Sequence, residues 1–150
     1  MSYRKILVPV DFSSSAKQAL SYATFLAEGL GATLHALFVW EPPRVIRADV
    51  MLWSETQGTS LVDHAREVAE SHMESMFDEL GIDKQRRPPH TIETGDPPDA
   101  IVEAATSGGY DLIVMGTQSR KGFDRVLLGS VSEKVVRTAP CPVLTVRPSS

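Results

Sequence analysis

Between Gly116 and Ser130 the chain reads Gly116-Thr117-Gln118-Ser119-Arg120-Lys121-Gly122-Phe123-Asp124-Arg125-Val126-Leu127-Leu128-Gly129-Ser130, a segment rich in glycine and cations. The apolar run from Tyr110 to Met115 before it predicts a buried strand, and Val131 to Arg137 after it predicts a helix. Glycines let a backbone turn and approach a ligand closely, and the first amides of a helix point at an anion. Arg120, Lys121 and Arg125 set three cations around this loop in an otherwise acidic chain. A competing reading is structural. The glycines would then be turn and cap residues, Gly122 above all, and Ser130-x-x-Glu133 would form a capping box that satisfies its own amides. The cations shift the balance modestly toward a cradle for a phosphate-bearing ligand.

Asp11 is the second residue with ligand chemistry. Its carboxylate could accept hydrogen bonds from a ribose or an adenine amine. It could also cap the helix that follows, in competition with Ser13. Other chemistries find no support. No Gly-Lys-[Ser/Thr] completes a Walker A motif, and no Gly-x-Gly-x-x-Gly follows the first strand. Ser13-Ser14-Ser15 lies in no Gly-x-Ser-x-Gly elbow. His35, His64, His72 and His90 are scattered over several elements, and His64 and His72, eight residues apart, have poor ligand spacing. Neither catalytic nor metal-ligating residues are assigned.

The elements that must position these groups alternate. Lys5 to Val10 suits a strand buried on both faces. A helix follows through Ala16, Ala19, Leu20, Ala23, Leu26, Ala27 and Leu30, stopped near Gly31. Thr33 to Val39 predicts a second strand, and Glu41 to Gly58 a long loop. Leu61, Ala65, Val68, Ala69, His72, Met76 and Leu80 trace the apolar face of a second helix. Arg86 to Thr94 predicts a third strand, with Pro88 and Pro89 marking an edge position. Asp96-Pro97-Pro98 opens a third helix. The strand before the glycine loop, a fourth helix and a last strand, Pro142 to Val146, complete the order. Strict alternation implies a parallel sheet between helical layers. In such sheets ligands sit beyond the carboxyl ends of the strands, where Asp11, Val39-Trp40 and Gly116 fall.

The totals agree with one domain, residues 1–150, of 42% hydrophobic and 23% charged residues. A net charge of -4 argues against nucleic acid as a general partner. The lone cysteine, Cys141, excludes an intramolecular disulfide and is expected to pack as a small apolar group. No apolar window reaches membrane-spanning length and no signal-peptide core opens the chain, so a cytoplasmic location is the expectation.

Five segments in register resemble the universal stress protein family. They are Ile6-Leu7-Val8-Pro9-Val10-Asp11-Phe12-Ser13, Thr94-Gly95-Asp96-Pro97, Asp111 to Thr117, Leu127 to Val135, and Cys141-Pro142-Val143-Leu144-Thr145-Val146. The resemblance implies an α/β three-layer open sandwich, Rossmann-like and of the adenine nucleotide alpha hydrolase-like type, with a five-stranded parallel sheet in order 3-2-1-4-5. It implies a homodimer in which the last strand, Val143 to Val146, pairs antiparallel with its mate. It implies ATP or another adenine nucleotide, with or without magnesium, as ligand. Pro9, Val39 and Met115 would line the adenine slot and Asp11 would meet the adenosine. Gly116, Gly129, Ser130, Val131 and Ser132 would hold ribose and phosphates. The ATP-binding members resemble Gly-x2-Gly-x9-Gly-[Ser/Thr], and here Ser119 stands at the second glycine. That substitution leaves open a member that binds no nucleotide and acts through protein partners.

Overall fold

The computed structural model describes residues 2–42, 61–117 and 128–148. Strand and helix alternate through β1 (Lys5–Val10), α1 (Ser14–Leu30), β2 (Thr33–Trp40), α2 (Leu61–Glu79), β3 (His90–Thr94), α3 (Pro97–Ser107), β4 (Leu112–Gly116), α4 (Ser130–Thr138) and β5 (Val143–Val146). A helix between successive strands permits parallel pairing. All the strand pairs are parallel, in the order β3-β2-β1-β4-β5. That is the order the resemblance implied.

The pleat decides which helix each side chain meets, because neighbouring strand residues point to opposite faces. Ile6, Val8 and Val10 of β1 pack with Leu112 and Val114 of β4, under Ala16, Ala19, Leu20 and Ala23 of α1 and Met73, Met76 and Phe77 of α2. Leu7, Leu37, Ile113 and Met115 face the other way, against Ile101 and Ala105 of α3 and Val135 of α4. Two helices therefore cover each face, and β1 and β4 read as unbroken apolar runs because neither face meets water.

Two boundaries differ from expectation. The buried stripe of α2 is Ala69, Met73, Met76 and Phe77, while Val68 is 41% exposed. These positions follow i, i+4, i+7, i+8 and bring the aromatic Phe77 onto the sheet. A stripe centred on Val68 would leave that larger ring in water. The third strand begins at His90 rather than Arg86. Pro88 and Pro89 have no N–H to give a ladder, although the Pro89 carbonyl accepts from Ala36 N at 3.0 Å.

Asp111 ties β4 to the start of β1. The amides of Arg4 and Lys5 both donate to its Oδ2, at 2.8 and 2.9 Å. These bonds hold the carboxyl below its ordinary value of 3.8. A depressed carboxyl pKa gives stability that is complete above the unfolded value and is lost as pH falls through the folded one. Asp111→Asn should therefore lower the melting temperature at pH 7 and flatten the loss of stability below pH 4, measured by thermal melts across pH. Parallel acid limbs for variant and wild type would refute this role.

Candidate nucleotide site

The carboxyl ends of β1, β2 and β4 and the start of α4 surround a cavity of about 400 Å³. Nine of the ten residues singled out from sequence line it: Pro9, Asp11, Val39, Met115, Gly116, Gly129, Ser130, Val131 and Ser132. Ser119 and the loop cations Arg120, Lys121 and Arg125 lie outside the described residues.

Gly116 has a packing reason to be glycine. A Cβ there would lie 2.5 Å from Ser15 Oγ and 2.7 Å from the Ser15 carbonyl carbon. Bare backbone lets the first turn of α1 rest against the end of β4. The sequence reading gave this residue to ligand approach; the structure adds helix-to-strand contact.

Asp11 and Ser13 divide the capping role that the sequence left contested. Ser13 is the N-cap of α1, and its Oγ accepts from Ala16 N at 3.2 Å. Asp11 Oδ1 accepts from Ser13 N at 3.1 Å and from Ser13 Oγ at 2.5 Å. The carboxylate is thus anchored one step behind the cap while still lining the cavity. Between them Phe12 sits at φ 66, a left-handed conformation that a bulky residue adopts at a cost of about 1–2 kcal/mol. Its ring lies 4.8 Å from Phe38 and 5.3 Å from His72, and this packing holds the tight turn after β1.

The start of α4 departs from the predicted capping box. Gly129, not Ser130, is the N-cap, and no side chain caps the helix. Ser130 is the first helical residue, one position too late for a box with Glu133, whose carboxylate accepts from Arg137 at 2.8 Å instead. The first intrahelical bond runs from Glu133 N to Gly129 O, 2.9 Å. The amides of Ser130, Val131 and Ser132 precede it and are donors such a helix start offers an anion. Self-satisfied capping, the structural reading of this segment, is thereby removed.

Ser132 has a different task from the one implied for it. It is 4% exposed, and its Oγ donates to the Gly116 carbonyl at 2.8 Å. That bond pins the first turn of α4 to the end of β4. Its hydroxyl proton is committed within the protein, so its side chain positions the site.

Sequence reasoning missed several walls. Leu37 and Phe38 of β2 line the cavity, with Glu41 just after it and Pro97 and Ile101 from α3. Leu37 and Ile101 read as core residues, which they also are. Trp40, which the strand-end rule placed at this edge beside Val39, lines the cavity as well. The resulting chamber has apolar walls, the N-terminus of α4 and two carboxylates, Asp11 and Glu41, with no lysine or arginine among the described lining residues. It suits a flat aromatic base with a polar and anionic tail. No group of three or more His, Cys, Asp and Glu side chains able to hold a metal occurs among the described residues. Cys141 is half-buried beside the second core cluster, and burial pushes its thiol pKa up, away from thiolate chemistry.

The comparisons with known proteins agree with this architecture. The model of the universal stress protein family matches residues 2–147. A universal stress protein of Methanocaldococcus jannaschii is 33% identical over 146 residues, covering 97% of this chain and 82% of the relative. One from Thermus aquaticus is 32% identical over 146 residues, covering 97% of this chain and 99% of its own. Among solved structures, the universal stress protein UspA of Lactobacillus plantarum superposes with a TM-score of 0.75 at 28% identity, covering 98% of this chain and 99% of that one. A universal stress protein solved in complex with cAMP shares the fold, with a TM-score of 0.68 at 22% identity over 99% of this chain and 100% of that one. Sequence motifs, strand order and a family match over nearly the whole length converge, and the chain belongs to the universal stress protein family.

Proposed function

We propose that the cavity binds an adenine nucleotide and that the protein is a cytoplasmic, homodimeric stress-response module whose single domain, residues 1–150, responds to that occupancy. One observation carries the reading: nine positions separated by up to 123 residues in sequence, Pro9 to Ser132, surround one cavity. Pro9, Val39, Met115 and Val131 form an apolar slot for the base, and Asp11 accepts from the ribose or the base amine. Gly129 and the amides of Ser130, Val131 and Ser132 receive phosphate. A family member was solved with cAMP, so an adenine nucleotide is within the family's range. Calorimetric titration with ATP, ADP and AMP, with and without magnesium, tests the proposal. Saturable heat and a raised melting temperature are expected, whereas silence at millimolar ligand overturns it.

The sheet's two edges, guarded unequally, support the dimer reading. At β3, Arg66 Nη1 donates to the Ile92 carbonyl at 3.0 Å, and Pro88 and Pro89 precede the strand. Such features discourage a further strand. At the other edge Val143-Leu144-Thr145-Val146 is uncharged and half-buried throughout. A second copy of β5, antiparallel, is the natural cover.

A second reading rests on the carboxylates Asp11 and Glu41, set in a lining whose described residues carry no cation. It is a partner-binding protein in which Ser119 has reduced nucleotide affinity. Under that reading, and if the backbone at position 119 requires positive φ, Ser119→Gly tightens ATP binding about tenfold, the equivalent of ~1.4 kcal/mol. An unchanged affinity by titration removes Ser119 as the determinant.

A further inference from the structure

Among the described residues, Phe12 is the only one other than glycine at positive φ. A bulky side chain in that region is an outlier that persists only when its surroundings hold it there. Its two neighbours show what depends on it. Asp11 lines the cavity, and Ser13 caps α1 by accepting from Ala16 N. Ser13 N donates back across Phe12 to Asp11 Oδ1 at 3.1 Å, and Ser13 Oγ donates to the same oxygen. Phe12 is thus the central residue of an Asx turn. Both bonds fall on Oδ1, so neither occupies Oδ2.

The ring of Phe12 is what holds this turn. It meets Phe38 of β2 with centroids 4.8 Å apart, and His72 of α2 edge to face at 5.3 Å and 82°. Phe12 and Phe38 both pack against the core cluster shared by β1, α1 and α2. Phe38 reaches the cavity, whereas His72 is exposed and stands apart from it. A strand and a helix therefore converge on one side chain, and the backbone of that residue sets the direction of Asp11. Glycine would adopt the same conformation at no steric cost. A Cβ disfavours it, so packing of the ring has to keep it in place.

We propose that Phe12 is a positioning residue of the nucleotide site: packed on Phe38 and His72, its ring holds the left-handed turn that presents Asp11 to the ligand. This inference rests on the nucleotide reading given above and extends that site outward to α2. A ligand that needs Asp11 binds only the fraction of molecules with the turn in place. Alanine at position 12 removes the ring but keeps the Cβ, so the turn leaves the left-handed region. Glycine also removes the ring, yet it leaves the turn accessible. Affinity and stability therefore separate. Both variants lose the same packing, and only the alanine variant loses the placement of Asp11.

Calorimetric titration of the full chain with ATP tests it, comparing wild type, Phe12→Ala, Phe12→Gly and His72→Ala, with circular dichroism and thermal melts on each. Phe12→Ala should weaken binding about tenfold, the scale of the left-handed penalty. Phe12→Gly should stay within about threefold of wild type despite a lower melting temperature. His72→Ala, an exposed change outside the cavity, should weaken binding about threefold through the lost ring contact. With Asp11→Ala already present, neither Phe12→Ala nor His72→Ala should weaken binding further. Equal losses in Phe12→Ala and Phe12→Gly overturn this inference alone. So does a loss from Phe12→Ala that persists with Asp11→Ala, because it then acts through Phe38. Should Phe12→Ala not fold, His72→Ala decides, and unchanged affinity there overturns the inference. A wild type that binds no adenine nucleotide overturns the nucleotide reading and this inference together.

Discussion

Gly116→Ala is expected to lower the melting temperature by about 6–12 °C and to abolish nucleotide binding. A methyl group at this position meets Ser15 Oγ at 2.5 Å, Ser15 Cβ at 2.9 Å and the Ser15 carbonyl carbon at 2.7 Å. A rotamer change could move the hydroxyl, but it cannot move the carbonyl carbon. The first turn of α1 must retreat from β4, against a face packed through Ala16, Ala19 and Leu20. Overpacking of this kind costs about 3 kcal/mol, the upper end of the usual range, which corresponds to that shift for a chain of this size. The displaced turn carries Ser13, and with it the anchor of Asp11. Stability and binding therefore fail together. Scanning calorimetry and titration of the same sample provide the check. Ser15→Ala should rescue Gly116→Ala only in part, because the backbone contact persists. A melting temperature within 2 °C of wild type would show that α1 does not approach β4 so closely.

Ser130→Pro is expected to weaken ATP, ADP and AMP binding by about ten- to a hundredfold while leaving adenosine binding nearly unchanged. Proline fits the first helical position, where its fixed φ matches the helix. The residue before a proline must be extended, and Gly129 already is, at φ -67 and ψ 165. Helix α4 should therefore survive. The substitution removes one amide and one hydroxyl from the anion-facing end. A hydrogen bond to a charged group is worth about 1.5–3 kcal/mol, and one such bond accounts for the loss. Adenosine, without phosphate, is the internal control. Equal losses for adenosine would mean that the helix has moved, and no loss for any nucleotide would place the phosphates elsewhere.

Much of this site was legible because its markers are local. Asp11, Val39-Trp40 and Gly116 stand at strand ends, and the rule that ligands gather there needs only the order of the elements. The capping box was misread for an equally local reason. Ser130-x-x-Glu133 has the right letters, but the cap is decided by where helical dihedrals begin, and they begin at Ser130 itself. The buried face of α2 was misplaced because a one-residue rotation changes few entries in a hydrophobic pattern. It changes which side chain reaches the sheet, and the ring of Phe77 decided it.

Sequence alone determined the alternation of strand and helix, the strands buried on both faces and the family, since each follows from periodicity or from motifs in register. It also pointed to a phosphate-bearing ligand. Tertiary structure decided what each marker is for. Only packing shows that Gly116 is bare to admit Ser15, and that the Ser132 hydroxyl is spent on the Gly116 carbonyl. Only packing shows that Tyr22 and Phe25 of α1 stay exposed while Ala19, Leu20 and Ala23 are buried. These roles depend on contacts between residues far apart in the chain, which periodicity within one element does not encode.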